Sequence, residues 1–448
     1  MSKHVPVAPA HFSEEQQRSF ERACAHIDAD ELRRIVCDVV NIPSPVGGEA
    51  PLARYFAERF EADGIEATYQ EFAPNRANAL GRCKGDGTGP DLLLYAPIDM
   101  HVHGDASDGP WLNLEGRSDL VPRAVVDGDY VIGLGAENPK GHAACVAAAI
   151  SALARAGIPL HGDVIAGLGA GGMPVSGTPA HPSEGHGIGC AYMLEHGTRP
   201  DFAAIAKPGG AVSYEEVGLS WFELTVHGAF SYSGIPRRTR NAVVDAATVI
   251  TRLTAWFPEY TLRHTSGAVA PLGTVAAVAG GWPEKPAFLS DTCALYLDLR
   301  LSPRTTVAEA VSELEAALDA IRADNPGLTV TSKLLVAVPG TSTASDNWII
   351  TSSIAAWEAT YRKPHVFRTG TSGATDADIL RGHGVPTARV GTAALGPDAP
   401  FAGLFSMSVV SIDALVQLTT VLVAIAIDTC TRTRADVGLA ERKESSPA

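Results

Sequence analysis

Six runs decide the fold: GLSWFELTVHG (218–228), NAVVDAATVITRLTAWF (241–257), GTVAAVAGG (273–281), CALYLDLRLS (293–302), TTVAEAVSELEAALDAIRA (305–323) and LTVTSKLLVAV (328–338). The second and fifth have the length and apolar spacing of amphipathic helices, and the other four have the short, β-branched or alternating character of strands. Their order is β-α-β-β-α-β, which predicts a compact ferredoxin-like domain with two helices on one face of an antiparallel sheet. The pattern changes at about Gly218 and again at Pro339, so residues 218–339 form an inserted unit.

On either side of the insertion the chain reads as α/β. Ser13-Glu14-Glu15-Gln16 is a helix start, and helical periodicity runs through DADELRRIVCDVVNIPS (28–44) and PLARYFAERFEADG (51–64). IEATYQEF (65–72), NALGRCKG (78–85) and DLLLYAPID (91–99) follow as successive strands, the last apolar on both faces. An alanine-rich helix, GHAACVAAAISALARAG (141–157), precedes another buried strand, DVIAGLGA (163–170). The same pattern resumes with DNWIITSSIAAWEAT (346–360) and closes with the helix SIDALVQLTTVLVAIAIDTC (411–430). The expectation is therefore an α/β domain of residues 1–217 and 340–448 interrupted by a second domain. The polar tail RADVGLAERKESSPA (434–448) reads as frayed.

A chain of 448 residues with 46% hydrophobic composition is long enough for two or three cores. No run of eighteen or more uninterrupted apolar residues appears, and MSKHVPVAPAHFSEEQQ lacks the basic-then-apolar pattern of a secretory signal, so the expected location is cytoplasmic. The seven cysteines are scattered and never spaced C-x-x-C, which argues against a disulfide framework or a thiolate metal cluster. A net charge of -15 disfavours nucleic acid and anionic membrane as partners and leaves a small-molecule substrate.

Several stretches, in order along the chain, resemble one family. NIPSPVGGE (41–49) is similar to its helix-ending turn, and LLLYAPIDM (92–100) to its first metal strand, which usually ends Gly-His-x-Asp. GLGAENPKGHAACVAAAISAL (133–153) resembles the turn Gly-x-Gly-x-x-Asp-x-Lys-Gly. YSGIPRRTRNAV (232–243) resembles the insertion-domain motif His-x-x-x-Pro with Asn-Ala, LDLRLSP (297–303) its Asp-x-Arg strand, and SGATDADILRGHGVPTARVG (372–391) its Gly-x-Thr-Asp-Ala segment. The family is that of the aminoacylases, acetylornithine deacetylases, succinyl-diaminopimelate desuccinylases and carboxypeptidase G, metallopeptidases and amidohydrolases. The resemblance implies a zinc-exopeptidase-like α/β domain, an inserted dimerisation domain that makes a homodimer, and hydrolysis of a C–N bond at two divalent ions.

This chain departs from the family at the ligands. The first histidine ligand falls on Pro97, although the aspartate that orients it is kept as Asp99. The bridging aspartate falls on Asn138, and the paired glutamates that supply base and ligand should follow DVIAGLGA, where the chain reads GAGGMPV (169–175) with no carboxylate. The next acidic ligand falls on Lys207, the histidine that polarises the substrate carbonyl across the dimer on Tyr232, and the last histidine ligand near Phe405. The expectation is no metal cofactor, the dinuclear zinc site being degenerate.

Candidate residues follow by position. Asp99, Lys207, Asn138 and Tyr232 are the expected catalytic set: an ammonium at Lys207 stands where the metals' charge would be and could stabilise an oxyanion or act as base or nucleophile. A salt bridge between Lys207 and Asp99 that only fills space is the structural alternative. His101, Asn241, Arg300 and Asp376 are the expected substrate-binding residues; equally, Asn241 could cap its helix, Arg300 pair with Asp298, and Asp376 hold its own loop. Asp99, His101 and His103 could form a replacement metal triad on one strand face, but the reading preferred places both histidines in the polar loop MHVHGDASDGPW (100–111). His142, and His181 and His186 of the loop SGTPAHPSEGHG (176–187), are read in the same way, and Glu137 and Lys140 as fixing backbone where the helix begins. The leading expectation is a metal-independent amidohydrolase acting on a small carboxylate- or amide-bearing molecule. A metal-free lyase, ring-opening or acyl-transfer enzyme and a non-catalytic binding protein are the alternatives.

Overall fold

A computed structural model describes residues 6–109, 112–176, 184–235, 239–402, 404 and 407–442. Helix α1 (Glu14–Cys24) begins with a capping box, in which the Ser13 hydroxyl accepts from the Gln16 N–H and the Gln16 side chain accepts from that of Ser13. Helices α2 (Ala29–Val40) and α3 (Ala50–Ala62) follow, and then strands β1 (Glu66–Ala73), β2 (Arg76–Cys83) and β3 (Leu92–Pro97). Helix α4 (Lys140–Ala156) leads to β4 (Val164–Gly169) and β5 (Phe202–Ala206). The chain then builds β6 (Gly218–His227), α5 (Ala242–His264), β7 (Gly273–Gly280), β8 (Thr292–Leu301), α6 (Val307–Asp324) and β9 (Thr329–Val338). It ends with α7 (Trp348–Tyr361), β10 (Thr387–Val390) and α8 (Ile412–Cys430).

Two compact units result. The first comprises Met1–Tyr214, Thr343–Phe367 and Thr375–Ala448, and the second Glu215–Ser342 with Arg368–Ala374. In the first, six strands lie in the order β1-β2-β4-β3-β5-β10. β3 runs parallel to β4 and β5, and β10 parallel to β5, while β1 and β2 complete the sheet antiparallel. Because side chains alternate across a strand, Leu92, Leu94 and Ala96 of β3 face one core with α4 and α8, and Leu93 and Tyr95 face another with Cys190 and Met193 of the short helix Ile188–Glu195. Burial on both faces is why β3 reads as an unbroken apolar run. The α8 helix is long and apolar enough to cross a membrane, yet 78% of its apolar window is buried inside the protein, as expected of a core helix.

The second unit has strand order β7-β8-β6-β9 with every pairing antiparallel. Phe222, Leu224 and Val226 of β6 and Leu295, Leu297 and Leu299 of β8 pack against Val249, Leu253 and Tyr260 of α5 and Leu314 and Leu318 of α6. Full burial of each such side chain is worth roughly 1.5–3 kcal/mol, so this one face supplies most of the unit's cohesion. β7 is an edge strand, exposed along most of its length.

Candidate functional site

In a parallel sheet, polar groups gather beyond the carboxyl ends of the strands, where the loops diverge and leave a crevice. The first unit does this at four strands. Asp99 follows β3, Gly172 and Met173 follow β4, Lys207 follows β5 and Thr392 follows β10. Close approach of the chain is built in at Gly391, where a Cβ would lie only 1.7 Å from the carbonyl oxygen of Lys207.

Asp99 is fully buried, and its two carboxylate oxygens accept the backbone N–H groups of Gly172 at 2.6 Å and Met173 at 2.8 Å. Burial and the nearby Glu49 carboxylate push its pKa up to about 7 against the pull of those two bonds. Glu49 is itself buried and forks onto Arg76, Oε2 to Nε at 3.0 Å and Oε1 to Nη2 at 2.6 Å. Lys207 is 6% exposed and donates from Nζ to Asn138 Oδ1 at 3.2 Å. Lys207 thus has a defined bond to Asn138. The Asn138 amide is turned by a second contact, Nδ2 to Met407 Sδ at 2.8 Å.

Asp376, from far along the chain, enters the same place. It is buried, accepts from the Tyr95 hydroxyl at 2.6 Å, and its Oδ2 would stand 2.7 Å from a Cβ built on Gly172. The stretch GAGGMPV therefore does have a carboxylate beside it, brought by tertiary contact where local sequence offers none.

Glu137 and His142, which sequence reasoning set aside, and Thr392, which it missed, belong to this cluster. Glu137 Oε1 accepts from Thr392 Oγ1 at 3.2 Å, and the same hydroxyl lies 3.3 Å from His142 Nε2. Burial pushes the Glu137 carboxyl up to about 7 against the Thr392 bond, and burial together with the Lys207 charge holds His142 down to about 3. Glu137 thus bonds to a residue beyond the helix entrance, and Lys140, fully buried with its pKa brought down to about 7 by desolvation, donates to Ile42 O at 2.6 Å. The available signal was the density of ionisable side chains within the small-residue turn GLGAENPKGH.

Of the remaining expected residues, His101 feels the Lys207 charge, and Asn241, Arg300 and Tyr232 belong to the second unit. His101 and His103 lie beyond the end of β3 at Pro97, in non-strand backbone, so the strand-face triad has no strand beneath it. His103 Nδ1 is 3.6 Å from Asp108, and loss of water and the Lys207 charge hold His101 below its ordinary range against the Asp108 carboxylate. In the second unit, Asn241 caps α5 by accepting from the Val243 N–H, Arg300 forks onto Asp298 Oδ2 at 3.0 and 2.6 Å, and Tyr232 is 47% exposed with its ring beside Phe288. His181 and Phe405 lie outside the described residues.

A doubly covered α/β sheet with a polar cluster at its carboxyl ends, joined to a ferredoxin-like insertion, defines a two-domain hydrolase fold of the zinc-exopeptidase type. Residues 214–325 match the peptidase dimerisation domain of the M20 peptidases. Succinyl-diaminopimelate desuccinylase of Gluconobacter oxydans is 27% identical over 43% of this chain and 57% of its own length, so the match spans little more than half of that relative. The same enzyme of Methylobacterium nodulans is 27% identical over 65% of this chain and 74% of its own. Human carnosine dipeptidase 1 superposes with a TM-score of 0.68 at 14% identity, covering 93% of this chain and 99% of that one. These matches support the aminoacylase/desuccinylase/carboxypeptidase G family that the sequence motifs resemble, with the ligand positions divergent.

Enzymes of this family are typically dinuclear-metal enzymes, and the donor set here does not fit such a centre. Pro97 has no donor atom, Asn138 offers a neutral amide already bonded to an ammonium, and both oxygens of Asp99 are taken by backbone N–H groups. A Cβ on Gly172 would meet the Pro97 Cβ at 2.5 Å as well as Asp376, so a carboxylate cannot be added there without displacing both. Among the described residues no group of three or more His, Cys, Asp or Glu is placed to hold an ion.

Proposed function

We propose that this chain is an amidohydrolase-type enzyme that cleaves an amide or other C–N bond of a small carboxylate- or amide-bearing substrate without the dinuclear centre typical of its family. The observation that carries the reading is the Lys207 ammonium, buried at the carboxyl end of β5 and bonded to Asn138 at 3.2 Å. A fixed cation in a water-poor crevice stabilises negative charge far better than one in bulk water, and needs no reorganisation as the charge forms. Lys207 is then the group that receives the oxyanion of an attacked carbonyl, and Asn138 orients its ammonium. The desuccinylase name of the two matched relatives puts N-succinyl amino acids first among substrates to try.

The test combines exhaustive chelation, elemental analysis and turnover on a panel of N-succinyl and N-acetyl amino acids and cyclic amides, with wild type and Lys207→Met. Turnover that survives chelation and falls by about 10²–10³-fold in Lys207→Met supports the proposal. A stoichiometric metal whose removal stops turnover overturns the metal-independent part, and unchanged turnover in Lys207→Met removes that residue from the mechanism. A second reading, a binding protein that keeps the cleft without chemistry, is favoured by Asp99, whose oxygens are both already bonded to backbone. Tight ligand binding without turnover on any substrate supports that reading.

Two further elements of the proposal concern context. The match over 214–325 supports a homodimer formed through the second unit, with small-molecule substrate as the other partner; a monomer by light scattering counts against it. Seven free cysteines, five of them buried, suit a reducing cytoplasm.

A further inference from the structure

We infer that Glu137 is the proton-transfer group of this site, with Thr392 and His142 as the positioning residues that hold it. The inference rests on the reading of Lys207 as the oxyanion-binding group. Glu137 directly precedes Asn138, the residue that bonds Lys207, so its carboxyl belongs to the same turn at the strand ends. It is half-buried, while Thr392 and His142 are buried almost completely.

The hydrogen bonds have a direction. Thr392 has one hydroxyl proton to share between Glu137 Oε1 at 3.2 Å and His142 Nε2 at 3.3 Å. His142 Nδ1 is buried and makes no side-chain hydrogen bond among the described residues. The ionised Glu137 carboxylate can only accept, so the Thr392 proton goes to it and the bond at Nε2 requires an imidazole proton donated to Thr392 Oγ1. Thr392 in turn donates to Glu137. The chain His142→Thr392→Glu137 fixes one oxygen of the carboxyl and leaves Oε2 to accept a proton from water.

The step balances in ordinary amide hydrolysis. Glu137 takes a proton from water as the water oxygen bonds to the amide carbon, and the carbonyl electron pair moves to the oxygen facing the Lys207 ammonium. Collapse of that adduct breaks the C–N bond, and the proton held by Glu137 passes to the departing nitrogen, giving a carboxylate and an amine. A carboxyl held near neutrality by burial suits both halves of this exchange. Thr392 bonds the Glu137 carboxyl and His142 of α4 stands behind it, and the charged groups that act on that imidazole are Lys207 after β5 and Arg389 in β10.

The experiment compares wild type with Glu137→Gln, Thr392→Val and Lys207→Met on the N-succinyl and N-acetyl amino acid panel, together with pH-difference infrared spectra of protein labelled with ¹³C at the glutamate carboxyls. Expected are a fall in kcat of about 10²–10⁴-fold in Glu137→Gln with KM nearly unchanged, and an acidic limb of the rate profile that Thr392→Val moves to higher pH by removing a bond to the ionised form. Because glutamine still accepts from Thr392, a purely structural role would leave kcat intact in Glu137→Gln, and that result overturns the inference. A spectrum with no glutamate carboxyl titrating near neutrality, or one that persists in Glu137→Gln, overturns it even without a substrate in hand. If Lys207→Met alone retains turnover, the oxyanion reading fails while Glu137 stands on its own rate and spectrum.

Discussion

Replacing His142 by leucine tests how dry the centre of the site is. The imidazole is fully buried at the start of α4, and burial, reinforced by Lys207, holds it down to about 3 where a free histidine sits at 6.5. The unfolded chain therefore binds the extra proton between those values and the folded chain does not. The stability that the neutral ring contributes is complete above about pH 6.5 and is lost as pH falls toward 3. At about pH 4 the accumulated loss is on the order of 3 kcal/mol, from roughly 1.4 kcal/mol per pH unit. Leucine is close to histidine in volume and does not titrate. Urea unfolding of wild type and His142→Leu at about pH 7, 6, 5 and 4 should show the difference in unfolding free energy move in favour of the variant by that amount. Acid-sensitive groups that are not linked to His142 cancel in the difference, and Glu137, linked through Thr392, is removed from it by making the same comparison in a Glu137→Gln background. A pH-independent difference would mean that the folded protein accommodates the imidazolium, and the picture of a desolvated ring would be wrong.

Two more outcomes can be checked by thermal melting. Gly172→Ala should destabilise by about 1–3 kcal/mol, since its Cβ would fall 2.5 Å from the Pro97 Cβ and 2.7 Å from Asp376 Oδ2; an unchanged Tm would mean that the loop after β4 yields freely. Arg76→Met should cost about 3–5 kcal/mol by leaving the fully buried Glu49 carboxylate without its fork, and the double variant with Glu49→Gln should recover part of that. Equal losses in the single and double variants would show that the charge is not the cause.

The fold was legible wherever pattern was long. α1 starts at Ser13 because its side-chain chemistry serves the first turn, and β6 and β8 alternate buried and half-buried residues along most of their length. In the six-stranded sheet the strands that escaped were β5 (FAAIA) and β10 (TARV), each too short for periodicity to rise above its surroundings. Those are the strands that carry Lys207 and Thr392 to the site. The helix α5 also runs on through Pro258 to His264, past the apparent stop at Phe257, because tertiary packing of Tyr260 holds the last turns. At the site, losses were easier to read than gains. A missing ligand shows in a motif, as at Pro97, Asn138 and Lys207. The Glu137–Thr392 contact joins positions 255 residues apart, and the approach of Asp376 to Gly172 is of the same kind. Neither has a local signature.

The crowding at Gly172 also bears on how this site could change. With the Pro97 ring and the Asp376 carboxylate occupying the room a glutamate would need, a single substitution toward the ancestral sequence lowers stability before it can gain an ion. Neighbouring residues have closed the route behind them, as in a ratchet. Any attempt to breed a metalloenzyme back from this scaffold would have to change position 97 first, with Asn138 and Lys207 soon after. A library that varies position 172 alone would find less stable versions of the present protein.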